Sequence, residues 1–125
     1  MPTLRVFIVE DNPTILSNLV TTLEELTRSR VVGTAASEAA AIQTLRDQGA
    51  ELDLVIVDLF LASGTGLGVL EAANAMALDA RRVVLSNFAT PEVQNRCLKL
   101  GAARVFDKSR DLDALLDYCD ELAEA

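Results

Sequence analysis

The stretch Leu54-Val55-Ile56-Val57-Asp58 decides the fold, because it is a short and unbroken apolar run that ends in a single acid. Such a run, rich in β-branched residues, is typical of a strand that helices cover on both faces of a parallel sheet. Asp58 then falls at the carboxyl end of the strand, and this is the edge where open α/β sheets bind ligands. The stretch therefore predicts an architecture and also the edge at which a functional site should lie.

Three further short runs, each rich in apolar residues, are also followed by polar side chains. They are residues 4–9 before Glu10 and Asp11, residues 82–85 before Ser86, and residues 104–107 before Lys108. The carboxyl ends of parallel strands share one edge of a sheet, so three carboxylates, a hydroxyl and an ammonium should converge on one crevice. That set of groups suits one task, which is to hold a divalent cation beside a carboxylate that accepts a phosphoryl group.

Predicted strands and helices alternate along the whole chain. The strands cover about residues 4–9, 30–35, 52–57, 82–85 and 103–106, and the helices about 13–27, 37–48, 66–78, 91–100 and 112–122. Short connections and right-handed crossovers favour a doubly wound parallel sheet as the solution. We therefore predict a single three-layer α/β domain with a five-stranded parallel sheet over residues 1–125, with no linker, repeat or effector domain.

Capping residues support these helix boundaries. They are Asn12-Pro13, Ser37, Gly49, Thr90-Pro91, and either Ser109 or Asp111. The first helix has apolar residues spaced so that they fall near one face, which predicts a stripe packed against the sheet. These residues are Ile15, Leu16, Leu19, Leu23 and Leu26.

The composition excludes several classes of protein. A formal net charge of −8 argues against nucleic-acid binding through a basic surface, and the absence of histidine excludes Ser-His-Asp and Cys-His enzymes. The two cysteines, Cys97 and Cys119, lack CxxC spacing and indicate reduced thiols. With no signal peptide and no apolar run of membrane-spanning length, we expect a cytoplasmic protein that binds neither membranes nor nucleic acid directly.

Asp58 is the candidate phosphoacceptor. An acid at the end of a buried strand is costly to ionise unless a cation compensates it, and both Lys108 and a divalent cation would do so. Mg²⁺, or Mn²⁺, prefers hard oxygen ligands. This chemistry predicts a cation held by Glu10, Asp11 and Asp58. The backbone carbonyl of Phe60 is expected as a further ligand.

Phosphoryl transfer to a carboxylate gives an aspartyl phosphate. Lys108 would offset charge on the phosphoryl oxygens, and the Ser86 hydroxyl would donate a hydrogen bond to one of them. Taken singly, these residues have ordinary alternatives: Asp58 as a helix cap or turn residue, Ser86 as a strand-end hydroxyl and Lys108 as a solvated charge. Their coincidence at the strand ends favours a functional site.

On these residues the chain resembles the receiver domains of two-component response regulators. The resemblance covers nearly the whole chain and rests on four segments in the family's order and spacing. They are Val9-Glu10-Asp11-Asn12, Val57-Asp58-Leu59 with Gly66-Leu67 beyond it, Leu85-Ser86-Asn87, and Leu100-Gly101-Ala102 through Lys108.

The resemblance implies a flavodoxin-like fold with strand order 2-1-3-4-5. It also implies that a histidine kinase or phosphotransfer protein phosphorylates Asp58, and that this changes the surface formed by the fourth helix, fifth strand and fifth helix. A downstream protein or an effector domain would respond at that surface, and a dimer would form through it. The resemblance implies a signalling domain and not an enzyme, beyond self-catalysed phosphotransfer and autodephosphorylation.

Four positions depart from the family's pattern. Asn87 stands where receivers commonly have a small residue, which would affect access to the acceptor. Val105 stands where the family often has an aromatic switch residue, and the adjacent Phe106 should point to the opposite face of its strand. Ser109 follows the lysine where many receivers have proline, and Ala62, after Leu61, also lacks the family's proline. Asn87 and Val105 leave a second interpretation open, a phosphorylation-independent interaction module that docks through the fourth and fifth helices.

Two other functions fit the sequence less well. Gly64-Thr65-Gly66-Leu67-Gly68 is similar to a dinucleotide-binding loop, but it follows the third strand and has Val69 in place of the last glycine. We expect these glycines to let the loop turn and the third helix begin close to the sheet. A haloacid-dehalogenase-type phosphatase would need a second acid at Phe60. We expect Phe60 and Phe88 to flank the site instead.

Overall fold

A five-stranded parallel sheet runs through the centre of the computed structural model, which describes residues 3–87 and 90–125. The strands are β1 Leu4–Val9, β2 Ser29–Ala35, β3 Leu54–Val57, β4 Arg81–Ser86 and β5 Arg104–Asp107. Their order in the sheet is β2-β1-β3-β4-β5, and all pairs are parallel. The predicted doubly wound α/β architecture and its strand order are confirmed.

Helices follow each of the strands and cover both faces of the sheet. They are α1 Pro13–Leu26, α2 Glu38–Gln48, α3 Gly66–Ala75, α4 Pro91–Lys99 and α5 Leu112–Glu124, with a 3₁₀ turn at Gly49–Glu51. Within the described ranges, the helices are too short or too polar to cross a bilayer.

The core has two layers because strand side chains alternate between the faces of the sheet. Val55 and Val57 of β3 join the apolar cluster under α2, α3 and α4, whereas Leu54 and Ile56 join the cluster under α1 and α5. All of β3 is buried, as its unbroken apolar run predicts. Cys97 and Cys119 are buried free thiols, and burial raises the pKa of Cys119 to about 11.

Side-chain caps begin the helices largely where the sequence predicts. Asn12 Oδ1 accepts hydrogen bonds from the N–H groups of Thr14 and Ile15 at the start of α1. Ser37 Oγ accepts from Ala40 N–H at the start of α2, and Thr90 Oγ1 caps α4 in the same way. These bonds satisfy backbone donors that a helix N-terminus otherwise leaves free.

Two boundaries and one helix face differ most from the prediction. The third helix was expected to reach Leu78 but ends at Ala75, since Ala77 adopts a left-handed conformation with φ of 52°. β3 begins at Leu54 and not at 52, since a 3₁₀ turn occupies Gly49–Glu51. The apolar face of α1 is narrower than expected, because Leu26 is 63% exposed whereas Leu19 and Leu23 are buried.

The register of the sheet aligns the carboxyl ends of the central strands. Val9 of β1 pairs with Val57 of β3, and Val57 in turn pairs with Val84 of β4. The Asp58 N–H donates to Val9 O at 2.9 Å, which continues the ladder by one residue. The residues just beyond β1 and β3 are therefore held side by side by backbone hydrogen bonds.

Val105 and Phe106 lie on opposite faces of β5, as predicted. Phe106 is 3% exposed in the cluster under α1 and α5, and its ring meets that of Tyr118 edge-on with centroids 6.0 Å apart. Val105 is half-buried and packs against the other cluster. Phe106 is therefore a core residue and does not replace a mobile aromatic at position 105.

The two leucines at the end of α1 test which residues carry its packing. Leu23→Ala should lower the free energy of unfolding by about 2–5 kcal/mol, since Leu23 is fully buried and its loss leaves a cavity. Leu26→Ala, a matched change in the same helix, should alter it by less than about 0.5 kcal/mol. Urea unfolding followed by circular dichroism measures both, and equal losses would contradict this assignment of the core.

Candidate functional site

Three carboxylates meet at the carboxyl ends of β1 and β3. Glu10 and Asp11 directly follow β1, and Asp58 directly follows β3. One oxygen from each residue lies within 4.8 Å of the others. Glu10 and Asp58 are only 3% and 7% exposed, whereas Asp11 is half-buried. The sheet thus brings together the three acids that the sequence predicts as cation ligands.

The Lys108 ammonium bridges two of these acids. Its Nζ lies 2.6 Å from Glu10 Oε1 and 3.1 Å from Asp58 Oδ2, and its side chain is 14% exposed. The backbone N–H of Lys108 donates to Ser86 O at 3.3 Å, which ties the segment after β5 to the end of β4. The predicted lysine therefore reaches the candidate phosphoacceptor directly.

Charge in the site is not balanced by Lys108. Three carboxylates and one ammonium leave two formal negative charges in excess. Burial raises the pKa of Glu10 above its ordinary value, and the nearby Asp58 charge adds to this although Lys108 opposes it. Burial acts to lower the pKa of Lys108, but its hydrogen bonds to Glu10 and Asp58 outweigh this and raise the pKa. The site therefore favours a bound divalent cation.

The donor set fits Mg²⁺ or Mn²⁺. Magnesium prefers hard oxygen ligands and is usually held by one or two carboxylates with waters. The three carboxylate oxygens lie within 4.8 Å of one another, so Glu10, Asp11 and Asp58 would hold such an ion between them. Hard carboxylate ligands of this kind also suit manganese.

Backbone donors orient each of the three carboxylates. Asn12 N–H donates to Glu10 Oε2 at 3.2 Å, and Phe60 N–H donates to Asp58 Oδ1 at 3.3 Å. Asp11 Oδ2 accepts from Ala62 N–H at 2.7 Å, so the loop after β3 contacts the acid that follows β1. Carboxylate oxygens have more than one lone pair, and these bonds therefore leave room for a cation.

A close backbone approach beside Asp58 requires glycine at position 66. A Cβ at Gly66 would lie 2.3 Å from the carbonyl oxygen of Asp58 and 2.7 Å from Leu59 Cα. Gly66 N–H donates to Leu59 O at 3.0 Å. As predicted for the glycine-rich loop, the third helix begins against the end of β3.

The remaining predicted residues lie around this centre. Ser86 ends β4 and is fully buried, and the exposed Asn87 lines a cavity of about 330 Å³ together with Lys108 and Ser109. Phe60 is 55% exposed beside Asp58, and its backbone N–H is the group that contacts the acid. Phe88, predicted to flank the site, lies outside the described residues.

The turn after β5 is built by side chains that the sequence analysis assigned differently. Ser109 donates from both its N–H and its hydroxyl to Asp107 Oδ1, at 2.8 and 2.6 Å. Asp111, one of the two predicted caps of α5, accepts from Asp107 N–H instead and makes no side-chain cap bond. The hydrogen bonds from Ser109 lower the pKa of Asp107. These bonds enclose Lys108 in a closed turn.

Sequence reasoning missed two contacts of the loop after β3. One is the bond from Ala62 N–H to Asp11, and the other is a bond from Thr65 N–H to Glu38 Oε1 at 2.8 Å. Both join residues far apart in the chain, and neither follows from local spacing. Gly64 and Gly68 indicate a close approach to this loop, but they do not identify the side chain that makes it.

Comparison with known proteins gives consistent matches. The sequence model of the response regulator receiver domain matches residues 6–120. The chain is 30% identical over 115 residues to the acid tolerance regulatory protein ActR of Rhizobium meliloti (strain 1021), covering 92% of this chain and 57% of that protein. The chain thus spans a little over half the length of this relative.

Two solved structures show the same fold at low sequence identity. The response regulator domain of Thermotoga maritima CheB superposes with a TM-score of 0.85 at 16% identity, covering 98% of each chain. The receiver domain of the Francisella response regulator 1452 gives 0.84 at 18% identity, covering 99% of this chain and 98% of that one.

Glu10→Gln should reveal the cost of the unbalanced site. Because the folded pKa of Glu10 lies above its ordinary value, the stability linked to its protonation is present at low pH and lost as pH rises through the folded pKa. Without divalent cations, Glu10→Gln should therefore have a higher free energy of unfolding than the wild type, and this difference should be largest near pH 7.5. The gain should shrink as pH falls toward the ordinary value of 4.5. Urea unfolding across this range measures it, and a gain that grows on acidification would contradict the sign.

Proposed function

Since the chain belongs to the response regulator receiver domain family, we propose that it accepts a phosphoryl group on Asp58 in a magnesium-dependent reaction. The observation that carries this proposal is the contact of the nearly buried Asp58 with Lys108, beside Glu10 and Asp11. A fold match alone would not support a function. These four side chains support it because they provide a nucleophile, cation ligands and a compensating positive charge in one place.

The reaction transfers a phosphoryl group from the donor to a carboxylate oxygen of Asp58. A carboxylate oxygen of Asp58 attacks phosphorus, the bond from phosphorus to the donor's leaving group breaks, and the leaving group keeps the electron pair. Lys108, already in contact with Asp58, would then meet the phosphoryl oxygens, and the Ser86 hydroxyl would donate to one of them. A bound Mg²⁺ would supply positive charge to the phosphoryl oxygens, held by Glu10, Asp11 and Asp58 with the Phe60 carbonyl as a further ligand.

The output of this reaction is a change in partner binding, at a surface made of α4, β5 and α5. The phosphoryl group adds a charge of about −1.5 to −2 and new acceptor oxygens to a buried site. Reversing a 1:99 equilibrium between two conformations requires about 5.5 kcal/mol of differential stabilisation, which a phosphoryl group with several new contacts can supply. A dimer would use the same surface.

The proposal includes the phosphodonor and the cellular setting. A histidine kinase or phosphotransfer protein supplies the phosphoryl group, and a downstream protein or effector domain reads the result. The domain signals and is not an enzyme, apart from self-catalysed phosphotransfer and autodephosphorylation. A cytoplasmic location is supported by the buried free thiols of Cys97 and Cys119.

Intact mass after incubation with Mg²⁺ and acetyl phosphate tests the phosphoacceptor. The wild type should gain about 80 Da, the mass of one phosphoryl group on a carboxylate nucleophile. Asp58→Asn should gain nothing. Asp53→Asn should gain as much as the wild type, because Asp53 lies just before β3 and away from the site, where it accepts from Arg5 N–H.

The same experiment separates the proposal from its alternative. No mass gain in the wild type, together with no binding of beryllium fluoride, would contradict phosphoacceptance. It would favour the phosphorylation-independent interaction module, for which the exposed Asn87 beside the site and the aliphatic Val105 are the supporting features. Asn87→Ala would then test whether that side chain blocks access.

Backbone amide NMR tests the output surface. Beryllium fluoride with Mg²⁺ should shift amide signals of α4, β5 and α5, for example those of Lys99, Arg104 and Tyr118, besides signals at the site. Asp53, at the other end of β3, should shift little, and Asp58→Asn should abolish all of the shifts. Changes confined to the residues that contact Asp58 would contradict the proposed output surface.

A further inference from the structure

The loop that follows the phosphoacceptor strand is anchored at both ends. This β3–α3 loop comprises residues 59–65, between Asp58 and the start of α3. At the site end, Phe60 N–H donates to Asp58 and Ala62 N–H donates to Asp11. At the other end, it contacts the first residue of α2, Glu38. Glu38 is not a member of the site.

Glu38 holds the loop with its backbone and its side chain. Its N–H donates to Ser63 O at 3.1 Å, and its Oε1 accepts from Thr65 N–H at 2.8 Å and lies 3.4 Å from Thr65 Oγ1. The Thr65 hydroxyl in turn caps α3 by accepting from Gly68 N–H at 3.1 Å. Glu38 is half-buried, so water competes less for these bonds than at an open surface.

The glycines of the loop motif make room for this carboxylate. A Cβ at Gly68 would lie 2.4 Å from Glu38 Cδ and Oε1. A Cβ at Gly64, whose φ is +85°, would lie 2.3 Å from Glu38 Cβ. In a dinucleotide-binding loop, the space beside the glycines holds a phosphate. Here the Glu38 side chain occupies the space beside Gly64 and Gly68.

Internal bonds couple the two ends of the loop. Phe60 and Thr65 form an antiparallel bridge, and Gly66 N–H donates to Leu59 O at 3.0 Å. The residue that Glu38 holds, Thr65, is thus paired with the residue that contacts the phosphoacceptor. A shift at Thr65 would displace the Phe60 and Ala62 donors that orient Asp58 and Asp11.

We propose that Glu38 is a positioning residue for the cation and phosphoacceptor site, acting through the β3–α3 loop. This inference rests on the proposed function. Loss of the Glu38 contact leaves the three carboxylate ligands in place but frees the loop that carries the N–H donors to Asp11 and Asp58 and the Phe60 carbonyl. Removing a direct hydrogen-bond partner of a metal ligand typically changes metal affinity by about 10- to 100-fold, and because Glu38 acts one step further out, we expect a loss at the lower end, about 10-fold.

Mg²⁺ titration of the full chain tests the proposal, with calorimetry and the amide shifts of Phe60 and Ala62 as readouts. Glu38→Ala should weaken Mg²⁺ binding by about 10-fold. Glu38→Gln should retain most of the affinity, because its amide oxygen still accepts from Thr65 N–H. Asp47→Ala, which removes the other acid of α2, should bind as the wild type does, because Asp47 contacts only Gln43 among the bonds of the described chain.

Gly68→Ala provides an independent route to the same effect. The new methyl group would displace the Glu38 carboxylate, while alanine is a better helix former than glycine and does not weaken α3 by propensity. Gly68→Ala should therefore weaken Mg²⁺ binding in the wild type. In the Glu38→Ala background, where nothing is displaced, it should have no further effect.

The outcomes separate this inference from the proposed function. If folded Glu38→Ala and Gly68→Ala bind Mg²⁺ as the wild type does, or if Glu38→Gln loses as much affinity as Glu38→Ala, the positioning role is overturned. If the wild type binds no Mg²⁺, the proposed function fails, and hydrogen exchange at Ala62 decides the positioning role alone. Faster exchange in Glu38→Ala would support that role, and unchanged exchange would overturn it.

Discussion

Two nearly buried carboxylates share one ammonium in this protein. The rest of the site depends on the resulting excess of negative charge. Glu10 and Asp58 both contact Lys108, with Asp11 within reach of the same point. Burial raises the pKa of Glu10, although the hydrogen bond from Lys108 opposes this. The sheet enforces the juxtaposition, because backbone hydrogen bonds fix the residues after β1 and β3 side by side. The fold thus maintains an excess of negative charge that a divalent cation can relieve.

Much of this arrangement could be predicted from the sequence, for a physical reason. Buried parallel strands are apolar throughout, so the first polar residue after each run marks the sheet edge, and Glu10 and Asp58 could be placed there before the fold was known. Strand order needed the family resemblance. Contacts between distant segments had no local signal, and so Glu38 and the Ala62–Asp11 bond were missed. α3 ends just before Ala77, which adopts a left-handed conformation. Glycine is the usual signal for that conformation, so an alanine there could not be predicted from the sequence.

Hydrogen bonds, and not the restricted backbone of a proline, fix the turn that carries Lys108. Position 109 is serine, and its N–H and hydroxyl both donate to Asp107, while Asp111 accepts from Asp107 N–H. A serine at this position retains a backbone donor that proline would lack, and the turn uses it. The backbone at Lys108 is held on one side by these bonds and on the other by Ser86 O. Its long and flexible stem remains free to move the ammonium between acceptors.

The backbone of this turn is fixed while the Lys108 side chain can rotate, and this limits how a phosphoryl group would alter the domain. The Lys108 ammonium can exchange a carboxylate oxygen for a phosphoryl oxygen by rotating its stem, so the turn after β5 need not move. Phe106 is packed in the core against Tyr118, and Arg104 lies 5.3 Å over the same ring, which leaves no mobile aromatic on this part of β5. The proposed change at α4 and α5 would then start from the end of β4, where the buried Ser86 meets the exposed Asn87.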